Sequence, residues 1–129
     1  MSYLKYAQEV GGTTDDKPVT NIVNISTLEE REDYIKNNKR VIIKYTASWC
    51  GPCKRIQPLY NDLCNETDTE ECIFLIEDVD LDLGDLMEDV AALPSFHFIH
   101  DGVLVDVLKG CDEDKLTSAV KLLLDMNTD

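Results

Sequence analysis

The sequence predicts an α/β fold, a mixed central β-sheet flanked by helices on both faces. Two observations carry this. Strand-like and helix-like patterns alternate along most of the chain, which calls for parallel strands joined by crossovers. Near the C-terminal end an Asp-Gly turn joins two further strand patterns, which calls for antiparallel pairing. A mixed sheet satisfies both, and 129 residues suffice for one such domain and not for two.

Residues 1 to 18 carry no clear period and end in Gly11-Gly12-Thr13-Thr14-Asp15-Asp16-Lys17-Pro18, so they read as an N-terminal extension to a domain spanning 19–129. Val19 to Ile25 is a plausible first strand, with Val19, Ile22, Val23 and Ile25 apolar. Ser26 is placed to cap a helix, with Glu29 as its capping-box partner and Asn37-Asn38 as the stop. Val41-Ile42-Ile43-Lys44-Tyr45-Thr46 is β-branched and aromatic and reads as a buried strand. Ile56, Leu59, Tyr60 and Leu63 then recur at helical spacing, with Pro58 interrupting the pattern and predicting a kink. After the acidic loop 65–71, Cys72 to Ile76 is a second buried strand. Leu83, Leu86 and Met87 among acids predict a short amphipathic helix over 80–89. Leu93 to Ile99 is a third strong strand, His100-Asp101-Gly102 a hairpin turn, and Val103 to Leu108 an edge strand that Gly110 ends. Asp112 or Asp114 begins the last helix, whose apolar stripe is Leu116, Val120, Leu123 and Leu124.

Twenty-six acidic residues oppose twelve basic ones, for a formal net charge of −14. Such a surface repels duplex nucleic acid and anionic lipid, so neither is expected as a partner; the charge reads as a solvated surface, with steering toward a basic partner as the sharper alternative. The five cysteines, an odd number, do not suggest a disulfide framework. The N-terminal residues lack the apolar run of a signal peptide, no stretch reaches the length of a membrane span, and no lipidation signal is present. A reducing, cytoplasmic setting is the expectation.

The chemistry sits in Trp49-Cys50-Gly51-Pro52-Cys53-Lys54, between a buried strand and a helix. A cysteine at a helix N-terminus meets free backbone N–H groups and the positive end of the dipole, which favour thiolate. Two intervening residues let the second sulfur reach the first. Pro52 suits an early helical position, where its missing N–H costs little, and Trp49 can cover the site. A C-x-x-C also has other meanings. Half of a zinc site needs a second ligand pair, and neither Cys64 with Cys72 nor His97 with His100 is suitably arranged. Two inert structural thiols fit poorly with the Gly-Pro insert and the preceding Trp.

The hexapeptide Trp49 to Lys54 is identical to the active-site signature of thioredoxins. The strand 41–48 resembles the thioredoxin strand that leads into it, as does Leu93 to Ile99 followed by Asp101-Gly102 and Gly110, and the resemblance covers about residues 19–126. It implies a thioredoxin fold and a disulfide reductase with no bound cofactor. Cys50 attacks a substrate disulfide, and Cys53 resolves the mixed disulfide to leave a Cys50–Cys53 bridge. It implies a cis peptide bond at Pro94, with the Leu93 backbone pairing with an extended substrate segment. Trp49, Gly51, Pro52, Leu93, Pro94, Gly110 and Cys111 then rim the substrate surface. Disulfide-containing proteins are the implied substrates, and an NADPH-dependent thioredoxin reductase the implied source of electrons. The competing readings are a disulfide oxidase or isomerase, and a thioredoxin-fold binding module whose redox activity is secondary.

Three features depart from the family or fall outside it. Lys44 stands where thioredoxins usually carry a buried Asp, six residues before the first cysteine. A buried ammonium needs a partner, for which Glu77 and Asp78 are candidates, unless the chain snorkels to solvent. Charged and near the sulfurs, Lys44 stabilises thiolate and makes the pair a stronger oxidant. Cys111 fits a third redox thiol, a dimerisation site or a free surface thiol. Cys64 and Cys72 fit either a bridge formed under oxidation or two buried free thiols.

Overall fold

In the computed structural model, which describes residues 21–83 and 92–127, strands and helices follow one another as the patterns require. They are β1 (Val23–Asn24), α1 (Leu28–Asn37), β2 (Arg40–Thr46), α2 (Gly51–Asn65), β3 (Ile73–Asp78), β4 (Ser95–His100), β5 (Val103–Lys109) and α3 (Glu113–Asp125). The five strands form one sheet in the order β1-β3-β2-β4-β5. β3 pairs in parallel with β1 and β2, whereas β4 pairs antiparallel with β2 and β5. The sheet is mixed, as expected, because the β4–β5 connection is too short for a crossover. That hairpin turns on Asp101 and Gly102, both at positive φ (51° and 80°), the type I′ geometry that an Asp-Gly pair adopts readily.

Alternation along the strands divides the core in two. Ile42, Phe74, Phe96 and Phe98 face α2 and α3, where they pack with Ile56, Tyr60, Leu116, Val120 and Leu123. Val41, Ile43, Tyr45, Leu75 and Ile99 face the other way, against Tyr34 and Ile35 of α1. Tyr60 is wholly buried between these strands and helices, and its hydroxyl donates to the Leu75 carbonyl at 2.8 Å. At the far end, the Arg40 guanidinium donates to the carbonyls of Leu123, Met126 and Glu71, tying the start of β2 to the end of α3.

Several expectations shift. The first strand is shorter than expected, and Val19 lies outside the described residues, as does the extension 1–18. The helix cap falls on Thr27 and not Ser26: the Thr27 hydroxyl accepts from Glu30 N–H at 3.1 Å, and Glu30 accepts from Ser26 N–H at 2.8 Å. The cap falls one residue later, and Glu30 reaches back past it to Ser26 N–H, because Ile25 N–H is still engaged by the Ile76 carbonyl and the chain stays extended. Helix α2 continues through Pro58 as one element. The start of the helix expected over 80–89 is a 3₁₀ turn, Val79–Leu81, closed by Asp82 in the left-handed region (φ 52°), a conformation that stops helical propagation. Leu86, Met87 and the rest of that expected helix lie outside the described residues. The last helix begins at Asp112, whose carboxylate accepts from Lys115 N–H at 3.0 Å.

Candidate active site

Strand β2 is the central buried strand, and the loop at its C-terminal end delivers Cys50 to the N-cap of α2. Cys50 and Cys53 are joined by a disulfide, with Cα atoms 5.4 Å apart. The Cys50 sulfur accepts from Cys53 N–H at 3.2 Å, so one of the helix's free donors already points at it. Gly51 and Pro52 form the first helical positions between them, and Pro52 forfeits no hydrogen bond there. Cys53 is 1% exposed and Cys50 5%. An apolar collar of Ala47, Val79 and Leu93 surrounds the pair.

Trp49 is 68% exposed, so it stands beside the site instead of sealing it, and its indole N–H donates to Asp80 at 3.2 Å. The Leu93–Pro94 bond is cis, and the Pro94 carbonyl accepts from Gly110 N–H at 2.8 Å. Pro94 and Gly110 are thereby brought together, although they lie sixteen positions apart in sequence. Gly110 takes φ 98°, where a side chain would be strained. Cys111, next along, is exposed and free, whereas Cys64 and Cys72 are buried and free. Burial pushes the Cys72 thiol up to about 12 and raises Cys64 as well, which makes both poor nucleophiles.

Lys44 does not pair with Glu77 or Asp78, and it does not snorkel. Glu77 points to the opposite face of the sheet and is held by Arg31 of α1, whose Nη1 reaches both carboxylate oxygens at 2.8 and 2.9 Å. Asp78 caps the 3₁₀ turn by accepting from Asp80 N–H. Lys44 is 1% exposed; its Nζ donates to the Cys53 carbonyl at 2.8 Å and to Gln57 Oε1. Desolvation by burial lowers it from 10.5 to about 8. The sequence reading missed Gln57 and Asp80 as neighbours of the site. Gln57 had a signal, since it lies four residues after Cys53 on the same helical face. Asp80 had none, because only the fold brings its turn beside Trp49. Among the described residues no cluster of metal-ligating side chains is present, and no helix is long and apolar enough to cross a membrane.

A disulfide of this spacing, at the turn from a buried strand into a helix of an α/β sheet, defines the thiol–disulfide oxidoreductase class. The thioredoxin family model matches residues 22–122, and the chain belongs to that family. It is 34% identical to the thioredoxin of Ictalurus punctatus over 103 residues, covering 77% of this chain and 95% of that one. It is 40% identical to an H-type thioredoxin of Chlamydomonas reinhardtii over 87 residues, 66% of this chain and 75% of that one. The crystal structure of Malassezia sympodialis thioredoxin superposes with a TM-score of 0.76 at 27% identity, covering 86% of this chain and 97% of that one. The protein reduces protein disulfides by dithiol–disulfide exchange through Cys50 and Cys53, with the redox disulfide in place of a bound cofactor.

Proposed function

We propose that Cys50 is the attacking thiolate and Cys53 the resolving one. The observation that carries this is the Cys53 N–H aimed at the Cys50 sulfur at the head of α2, since a donor and a helix N-terminus both stabilise negative charge there. The Cys50 thiolate attacks one sulfur of a substrate disulfide, and the other substrate sulfur leaves as thiolate. Cys53 then attacks Cys50 in the mixed disulfide, which frees the second substrate sulfur and forms the Cys50–Cys53 bond. Two electrons pass to the substrate. Exposed Trp49, with Gly51, Pro52, Leu93, Pro94, Gly110 and Cys111, forms the rim on which the substrate lies, its extended segment pairing with the Leu93 backbone. A thioredoxin reductase drawing on NADPH returns the two electrons. The setting is the cytoplasm, a reading supported by three of the five cysteines staying free.

Insulin-disulfide reduction with dithiothreitol tests this. The parent should be active and Cys50→Ser inactive, and pre-reduced Cys53→Ser, mixed with substrate after the dithiothreitol is removed, should be trapped as a mixed disulfide. Trapping by Cys50→Ser in place of Cys53→Ser reverses the assignment.

A further inference from the structure

Below the first turn of α2, on the sheet face that packs against α2 and α3, a charged side chain is buried without a counterion among the described residues. Lys44 lies between Ile76 of β3 and Phe96 of β4, neither of which carries charge. The ion pairs among the described residues are Arg31–Glu77, Lys39–Asp101 and His100–Asp101, and none includes Lys44. Both acceptors of its Nζ belong to α2: the carbonyl of Cys53 itself and the Gln57 side chain. Gln57 is oriented for this, because its own N–H group is taken by Asn61 Oδ1 at 2.7 Å, which leaves its oxygen for Lys44. The titratable groups that α2 and the strands place on this face are Cys53, Tyr60, Cys64, Cys72 and Asp78, with Arg40 and His100 at the far end of β2 and β4 and Asp106 on β5. The Tyr60 hydroxyl donates to the Leu75 carbonyl, burial keeps the Cys64 and Cys72 thiols protonated, and neither Asp78 nor Asp106 forms an ion pair with Lys44. Among the described residues, Cys53, whose own carbonyl holds Nζ, is therefore the group placed to balance the charge.

We propose that Lys44 is a positioning residue for the redox pair, its ammonium held beneath Cys53 so as to stabilise the Cys53 thiolate in the reduced protein. This rests on the reading of Cys50 and Cys53 as the redox pair. When a dithiol, or two molecules of glutathione, reduces the disulfide, the donor sulfurs join and the Cys50–Cys53 bond breaks. Two electrons pass to the protein, and the sulfur of Cys53 is released as thiolate. The charge on Nζ, and not a proton on sulfur, then balances it. Two consequences follow. The reduced state is favoured, so the pair is a stronger oxidant than it would be without the charge. Cys53 is also readier to resolve the mixed disulfide, because thiolate is the nucleophile. The lowered affinity of Lys44 for its proton in the oxidised protein fits an ammonium awaiting a partner that reduction supplies.

Two measurements test this on the full chain. Ultraviolet thiolate absorbance is followed against pH for Cys50→Ser and for Cys50→Ser combined with Lys44→Met or Lys44→Gln; Cys64, Cys72 and Cys111 are common to all and cancel in the difference. Both Lys44 variants should move the Cys53 step upward by about one pH unit or more. Redox equilibria with glutathione at about pH 8 should then show the disulfide of Lys44→Met and Lys44→Gln about tenfold harder to reduce than the parent's, which is about 30 mV. Lys44→Gln keeps a hydrogen-bonding group and guards against a fold defect in Lys44→Met. Unchanged titration in both variants overturns the proposal, as does a shift in Lys44→Met alone, which would trace to packing and not to charge. A parent that fails to equilibrate with glutathione through Cys50 and Cys53 refutes the functional reading itself.

Discussion

Separating Arg31 from Glu77 tests how the sheet carries a buried charge on the face away from the redox pair. The two side chains are 5% and 6% exposed, and one guanidinium nitrogen sits 2.8 Å from the carboxylate. At that distance and an effective dielectric of about 20, the attraction is about 6 kcal/mol, much of it offset by desolvating both ions. Either single change, Arg31→Met or Glu77→Leu, leaves one buried ion without its partner and should cost about 3–5 kcal/mol. With a urea slope of about 2 kcal/mol per molar, the midpoint should fall by about 2 M at unchanged slope. The double variant buries neither charge and should lie within about 1 kcal/mol of the parent. Urea unfolding of all four proteins closes the cycle. Single variants that cost under about 1 kcal/mol, or a double variant that costs the sum of the singles, would refute the argument.

Stability against pH should carry a signature of Lys44. The folded protein gives up that proton near pH 8 and the unfolded chain near 10.5, so between these values the unfolded state binds more protons and stability rises with pH. Cys72 acts oppositely from about pH 9 upward, because its thiol is raised from 9.0 to about 12 in the folded state. Comparing the parent with Lys44→Met removes the Cys72 contribution: urea midpoints should show the parent gaining on the variant from pH 8 to 10, and parallel curves would contradict this. In the native oxidised protein, a thiol reagent should label Cys111 quickly and Cys64 and Cys72 only on unfolding, and mass spectrometry of the labelled peptides reads this out. Arg40→Ala should cost about 2 kcal/mol and speed amide hydrogen exchange in α3, since the chain end loses its anchor on β2.

The strands and the hairpin were legible because their signals are local. Val41 to Tyr45 is apolar apart from one lysine, and Asp101-Gly102 specifies its own turn. The redox pair was legible for the same reason, since four consecutive residues contain both sulfurs and the spacing that joins them. The pairing of Lys44 was not. Sequence offered Glu77 and Asp78 as acids on the neighbouring strand, but alternation sends Glu77 to the other face, where Arg31 meets it. That outcome depends on register and on the rotation of α1. In α1 that rotation buries Arg31, a residue whose charge gives no sequence signal of an inward position. Gln57 and Asp80 were hidden because hydrogen bonds between elements depend on packing, which periodicity does not report.

The central position of β2 also governs how the protein can breathe. β2 is hydrogen-bonded on both edges and buried from Val41 to Tyr45, so its amides are released only when the whole domain opens. Because the redox loop is the direct continuation of this strand, local fluctuation gives little room to shift the base on which Cys50 stands. β5 lies at the sheet's edge with most of its residues exposed and can fray at small cost. Slow-exchanging amides should therefore run up β2 to the cysteines, while those along the free edge of β5 exchange early. Measured that way, the stability of the site and the stability of the fold are one quantity.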